Sequence, residues 1–274
     1  MKISYEFYPP KDLNYQKVVE EYSVLSQFNP RFVSITFGAL GSSQDKSLGL
    51  IEAFKKDFPD LDVAAHLTLV GKSVDEVSSI LDQFKELGIN KIVAVRGDSP
   101  DGAFVTHPNG FKNTADFVEF LVSENMEVFV SAYPEPHPDS EGFDFDLNLL
   151  EQKTNAGAHQ SISQFCFSEV DHQKLVTSMS ERGIKNELIA GIMPIYNIAS
   201  LCSMAERCGT HIPSHIIDQF SEDPQENEAA AIRICIDQVK SLQNLGISNF
   251  HFYALNQSSL LEKIFKKLEY RNFN

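Results

Sequence analysis

The sequence predicts an α/β fold, a (β/α)8 TIM barrel with an extra helix before the last strand. Three observations carry this. Short apolar runs rich in β-branched and aromatic residues recur eight times, with start-to-start gaps of 29, 31, 28, 36, 34, 27 and 61 residues. The stretches between them place apolar residues at helical spacing. Several of those stretches end in a glycine just before the next run, as in Leu87-Gly88-Ile89, Arg182-Gly183-Ile184 and Leu245-Gly246-Ile247, which is the usual chemistry of a helix-to-strand loop.

Taken in order, the first strand is Ile3–Phe7, and Pro9-Pro10 stops it because proline cannot donate to a ladder. The second and third are Phe32–Thr36 and Val63–Leu69. The helix after the third carries Val74, Val77, Ile80, Leu81, Phe84 and Leu87 on one face. Strands four to seven are Lys91–Val95, Glu127–Ala132, Ser161–Cys166 and Leu188–Ile192. The wide last gap holds an extra helix around Pro213–Phe220 and a long one over Glu226–Asn244, before the eighth strand, Asn249–Phe252. One strand-helix unit per ~30 residues calls for parallel strands joined by right-handed crossovers. A barrel of this kind takes roughly 250 residues as one domain, so one barrel over residues 1–274 is expected. A doubly wound open sheet is the competitor. It has no support from a GxGxxG turn, since none follows any strand.

Charge narrows the function classes. The net charge of −15 repels nucleic acid and anionic membrane surfaces, and no run of Lys and Arg makes a local basic patch. No apolar stretch approaches the ~20 residues of a membrane span. The start, Met1-Lys2-Ile3-Ser4-Tyr5-Glu6, carries an acid where a signal peptide is apolar. Cys166, Cys202, Cys208 and Cys235 show neither CxxC nor zinc spacing. A soluble cytoplasmic protein with reduced thiols and no metal is expected. Gly71-Lys72-Ser73 resembles the end of a phosphate-binding loop, but the first required glycine falls at His66.

Barrel enzymes build their sites at the carboxyl ends of the strands. Here these ends offer Glu6, Thr36, His66 with Thr68, Arg96 with Asp98, Tyr133 with Glu135 and His137, Gln164, Tyr196, and Tyr253 with Asn256. Thr36 and Thr68 also read as ordinary strand formers, and His66 as a satisfied core histidine. Glu6 stands apart, flanked by Tyr5, Phe7 and Tyr8. Desolvation of a carboxylate in that setting raises its pKa and suits a general acid.

The strand-end motifs, in chain order, resemble the methylenetetrahydrofolate reductases. Ser4-Tyr5-Glu6-Phe7-Tyr8-Pro9-Pro10, Val33-Ser34-Ile35-Thr36-Phe37-Gly38-Ala39, His66-Leu67-Thr68, Arg96-Gly97-Asp98, Ala132-Tyr133-Pro134-Glu135 with His137, Ile162-Ser163-Gln164-Phe165 and Phe250-His251-Phe252-Tyr253-Ala254-Leu255-Asn256 each match a family motif. The chain is similar to the bacterial type that is only a catalytic barrel. The resemblance implies FAD as cofactor, NADH or NADPH as hydride donor, and methylenetetrahydrofolate as substrate. It implies Glu6 and Asp98 as catalytic residues, with Glu6 protonating the folate and Asp98 near the flavin. Glu6, Asp98, Gln164 and Tyr253 would contact substrate. Thr36, His66, Arg96, Gly97, Asp98, Tyr133, His137, Asp146 and Lys153 fall where the family grips FAD. The family also points to a homo-oligomer, whose subunit number the sequence does not fix. Leu149, Gln152, Ile198 and Gln257 depart from the family pattern. They keep two alternatives in view, a relative without FAD or with an altered one-carbon substrate, and a non-catalytic folate-binding barrel.

Overall fold

The computed structural model describes residues 1–36, 44–97 and 106–268. Eight parallel strands close into a barrel in chain order: β1 (Lys2–Phe7), β2 (Val33–Ile35), β3 (Val63–Thr68), β4 (Lys91–Val95), β5 (Glu127–Ala132), β6 (Gln160–Ser163), β7 (Glu187–Ile192) and β8 (Asn249–Tyr253). The helices between them are α1 (Tyr15–Ser26), α2 (Gln44–Asp57), α3 (Val74–Glu86), α4 (Thr114–Ser123), α5 (Phe143–Asn155), α6 (Glu169–Glu181) and α7 (Ile198–Cys208). The short α8 (Ser214–Ile217) and long α9 (Pro224–Asn244) precede β8, and α10 (Ser259–Lys267) follows it. The open-sheet alternative is excluded by the pairing of β1 with β8. Among the described residues no helix is long and apolar enough to cross a membrane.

Local chemistry sets the helix starts. Ser73 caps α3 through a capping box with Glu76, Asn113 caps α4, and Asp223 caps α9 with Pro224 in its first turn.

The strand alternation sorts side chains into two cores. Outward-facing residues such as Tyr5, Phe7, Ile35, Leu67, Ala94, Val130, Ile192 and Phe252 join the large core under the helices. One inward-facing residue each from six strands or their approaches, Phe32, Ala64, Val93, Phe129, Ile162 and Ile189, packs as a separate layer inside the barrel. Below it, at the amino ends, charges pair at the rim: Lys91 with Asp62 and Glu127, and Glu187 with Lys2, Arg31 and the Gln160 amide. Above it the inward positions turn polar, and they make the floor of the mouth.

Candidate active site at the carboxyl ends of the strands

Register brings Glu6 beside Ser34 on β2 and Tyr253 on β8, and Ser4 beside His251. Glu6 Oε2 lies 3.4 Å from His66 Nε2 and 3.9 Å from His251 Nε2. The His251 ring is fully buried and fixed from every side. Its Nδ1 is 2.7 Å from Ser4 Oγ, its Nε2 is 3.2 Å from Ser34 Oγ, and its ring stacks on Phe32 at 5.7 Å. His66 Nε2 is buried and has no hydrogen-bond partner among the described residues. The Glu6 side chain keeps only 20% of its surface exposed.

The direction of the Glu6 pKa corrects the sequence expectation. Burial is the largest single influence and does push it up. The hydrogen bond from His251, the charges of His66 and His251, and the bond from Ser34 together outweigh burial and hold the carboxyl below its ordinary value. His66 is pushed down, first by burial and then by His251, against the pull of Glu6.

Tyr253 closes one side. Its hydroxyl donates to the Ser163 carbonyl at 3.1 Å, and its ring meets His251 edge-on at 5.7 Å and Phe165 at 6.1 Å. Burial first, then the Glu6 charge, raises its pKa well above the usual phenol value. This packing requires a glycine across the barrel. A Cβ on Gly191 would sit 2.1 Å from the Ser163 carbonyl oxygen and 3.0 Å from the Tyr253 ring. Gln164, at the end of β6, accepts the Phe165 N–H on its own Oε1 at 3.0 Å.

A second group gathers at the ends of β4 and β5. Arg96 pairs with Asp139 at 2.6 Å, and the Asp139 N–H donates to His137 Nδ1. The His137 N–H donates to Asp146 Oδ2 at 2.8 Å, and the Tyr133 and His137 rings meet edge to face at 5.2 Å. Lys153 Nζ is buried and donates to the Ser131 carbonyl at 2.7 Å. Burial lowers its pKa to about 8, against an upward pull from Asp146. Gly97 takes φ +84°, and a Cβ there would meet Val70 Cγ1 at 2.6 Å, so the ends of β3 and β4 run close together. Lys72 Nζ donates to Thr68 Oγ1 at 3.0 Å. Thr36 is tied to both sides of its strand end, its N–H donating to Phe7 and its carbonyl accepting from Ser47. Asp98 lies outside the described residues. Away from both groups, ligand atoms of Glu135, Cys166 and Asp171 lie within 4.8 Å of one another. Burial first, then the Glu135 charge, raises the Cys166 pKa.

The family model of methylenetetrahydrofolate reductase matches residues 1–269. The chain belongs to that family. A 5,10-methylenetetrahydrofolate reductase of Escherichia coli K12 is 31% identical over 265 residues, covering 95% of this chain and 88% of its own. One from Buchnera aphidicola of Schizaphis graminum is 32% identical over 269 residues, covering 96% and 90%. Methylenetetrahydrofolate reductase (NADH) 1 of Arabidopsis thaliana is 29% identical, with 92% of this chain matching 46% of that longer protein. A solved structure from Clostridium thermocellum, described as an uncharacterized protein that binds two copies of 5-methyl-5,6,7,8-tetrahydrofolic acid, shares the fold. Its TM-score is 0.65 at 13% identity, over 98% of this chain and 95% of that one.

Within this family frame the four departures separate. Leu149 and Gln152 are exposed on α5. Ile198 opens α7 and packs partly against the core. The Gln257 carbonyl accepts the Tyr196 hydroxyl at 2.7 Å. Two residues that shape the mouth, Asp139 and His251, are absent from the sequence reading of the site, and Asn256, named there as a strand-end residue, takes a role it did not foresee. Asp139 pairs with Arg96. Asn256 clamps the β1 exit by bonding both the N–H and the carbonyl of Tyr8. His251 braces Glu6, and its signal was legible, because it shares the inward face of β8 with Tyr253.

Proposed function

We propose that the chain reduces 5,10-methylenetetrahydrofolate to 5-methyltetrahydrofolate, with FAD relaying a hydride from NADH or NADPH in two successive half-reactions. The carrying observation is a half-buried carboxylate set against two imidazoles at the mouth of a barrel of this family. The residues present suit an anionic dinucleotide. The cations Lys72 and Arg96 lie just past the ends of β3 and β4, and Lys153 reaches β5 from α5, in a chain of net charge −15. Arg96, His137 and Tyr133 are the groups to hold it, with Lys153 and Asp146 fixing the end of β5 and the His137 loop from beneath. Bound FAD would supply the hydride chemistry between the nicotinamide and the folate.

The chain's own contribution is the proton. Glu6 Oε2 and His66 Nε2 lie 3.4 Å apart. In the open site Glu6 rests as a carboxylate, because the imidazoles hold the carboxyl down, beside a His66 ring that burial disfavours charging. A substrate seated on Glu6 expels the remaining water. Removing water from a carboxylate favours its protonated form, so a proton that enters by the mouth through His66 is held on Glu6 Oε2. From there it passes to a nitrogen of the bridged folate and opens the methylene bridge to hydride attack. Gln164 and Tyr253 border the same space from β6 and β8.

The test is a visible spectrum of protein incubated with FAD and freed of excess, followed anaerobically by NADH and then by methylenetetrahydrofolate. The flavin band should be retained, bleach with NADH and return with the folate. Glu6→Gln should keep the bleaching and lose the return by a factor of about 10² to 10⁴, the usual worth of a general acid. Return within tenfold of the unaltered rate refutes the role of Glu6. Protein that retains no flavin yet oxidises NADH when given the folate supports the FAD-independent reading instead.

A further inference from the structure

Outside the mouth, on the helix side of β6, a cavity of about 280 Å³ opens between the β6–α6 segment, α6, α8 and α9. Its walls carry apolar surface from Phe167, Ile234 and Leu242. Among the polar side chains lining it, His172 and Ser241 each have a buried polar atom with no hydrogen-bond partner among the described residues. His172 is only 1% exposed. Unsatisfied groups of this kind carry a cost that a ligand relieves.

The chemistry of these groups defines the occupant. His172 Nδ1 lies 3.1 Å from the Ser168 carbonyl, which can only accept, so the proton sits on Nδ1. Nε2 is then a bare lone pair that requires a donor, and burial keeps the ring neutral by lowering its pKa. Ser241 Oγ can take or give a hydrogen bond. Glu169 and Asp237 also line the cavity and are exposed. No lysine or arginine is among the described residues lining the cavity. An anion is therefore disfavoured.

We propose that this cavity is a binding site for a small organic cation with an aromatic or aliphatic body. Its ammonium would lie between Glu169 and Asp237, and a hydroxyl or N–H at its far end would donate to His172 Nε2 beside Ser241. The occupant also bears on the mouth. The segment that carries Gln164 runs on into the cavity wall, with the Phe165 carbonyl held by Thr210 at 3.1 Å and the Cys166 carbonyl by Gln238 at 2.7 Å, and Gln238 itself lines the cavity. A ligand that shifts Gln238 or His172 is felt at Gln164.

Three matched probes test the site by calorimetric titration into the full chain: tyramine, phenethylamine, which lacks the inner hydroxyl, and 4-hydroxyphenylacetate, which exchanges the cation for an anion. Tyramine should bind, and each control should bind about tenfold weaker, the worth of one good polar contact. Ser241→Val and His172→Phe should weaken tyramine and leave phenethylamine unchanged. Asp237→Asn with Glu169→Gln, both on the surface, should weaken both amines without disturbing the fold. No binding, or equal binding of the three probes, overturns the site. Saturating tyramine should also shift the apparent KM for methylenetetrahydrofolate, a readout that rests on the proposed reductase activity. Binding with an unchanged KM overturns the link to Gln164. Binding itself is read without turnover, so an inactive protein still decides the site.

Discussion

Lys153 gives the sharpest quantitative test of the mouth, because a buried ammonium couples stability to pH. Its Nζ donates to the Ser131 carbonyl, and burial lowers its pKa from 10.5 to about 8, with Asp146 pulling the other way. A depressed folded pKa means that the unfolded chain binds more protons between about 8 and 10.5. Stability from this residue is therefore fully present above the unfolded value and lost as the pH falls through about 8. The full swing is about 3 kcal/mol. Lys153→Met removes the titration and keeps most of the volume. The measurement is urea unfolding of both proteins at several pH values from 7.5 to 10, taking the difference in unfolding free energy so that other titrations cancel. That difference should move in favour of the lysine protein by about 2 to 3 kcal/mol across the range. The absolute offset at neutral pH carries a second contribution, since methionine leaves the Ser131 carbonyl without its donor. A flat difference would refute the reasoning, and would mean that Asp146 holds Lys153 charged despite its burial.

Three further outcomes follow from the geometry. Gly191→Ala drives a methyl group into the Ser163 carbonyl and the Tyr253 ring; overpacking of this kind costs about 1–3 kcal/mol, so thermal denaturation should show a lower Tm, together with a raised KM for the folate. His251→Gln removes the imidazole that holds the Glu6 carboxyl down, and the pKa of Glu6 should rise; the limb of the kcat/KM profile for the folate on which activity falls as Glu6 loses its proton should move to higher pH, and an unmoved limb refutes the brace. Asn256→Ala breaks both bonds to Tyr8 at a position with φ +55°, and chemical denaturation should report a loss of about 1–3 kcal/mol.

The strands were legible because each is a short apolar run bounded by turn chemistry, and the observed ends fall within a residue or two of those read from sequence, except that β6 stops at Ser163, three residues before Cys166. The closure of β1 on β8 was legible only through the count and spacing of units. The candidate residues at the strand ends stood out in the sequence, since an acid inside an apolar strand or a polar residue just past its end departs from the local pattern. Partnerships were harder. Asp139 reaches Arg96 from a loop 43 residues away, and Asn256 reaches Tyr8 across 248, so local pattern does not announce either. The direction of the Glu6 pKa was misjudged for the same reason. Its burial was visible in Tyr5, Phe7 and Tyr8, but the two imidazoles that outweigh burial come from β3 and β8.

The layering of the barrel interior gives those imidazoles a further role. Beneath Glu6 the interior is filled by Phe32, Ala64, Val93, Phe129, Ile162 and Ile189, and below them the amino ends are tied by ion pairs. Water does not cross a layer packed at this density. Glu6 therefore exchanges protons with solvent only through the mouth, which is where a substrate must sit to be protonated. With that path covered, the proton has to be stored inside the site. His66 touches Glu6 and keeps a little exposure to the mouth, while His251 is fully enclosed and hydrogen-bonded to Ser4 and Ser34. On the proposed reading, His66 is the group to reload Glu6 from the mouth, and His251 holds the carboxylate in place.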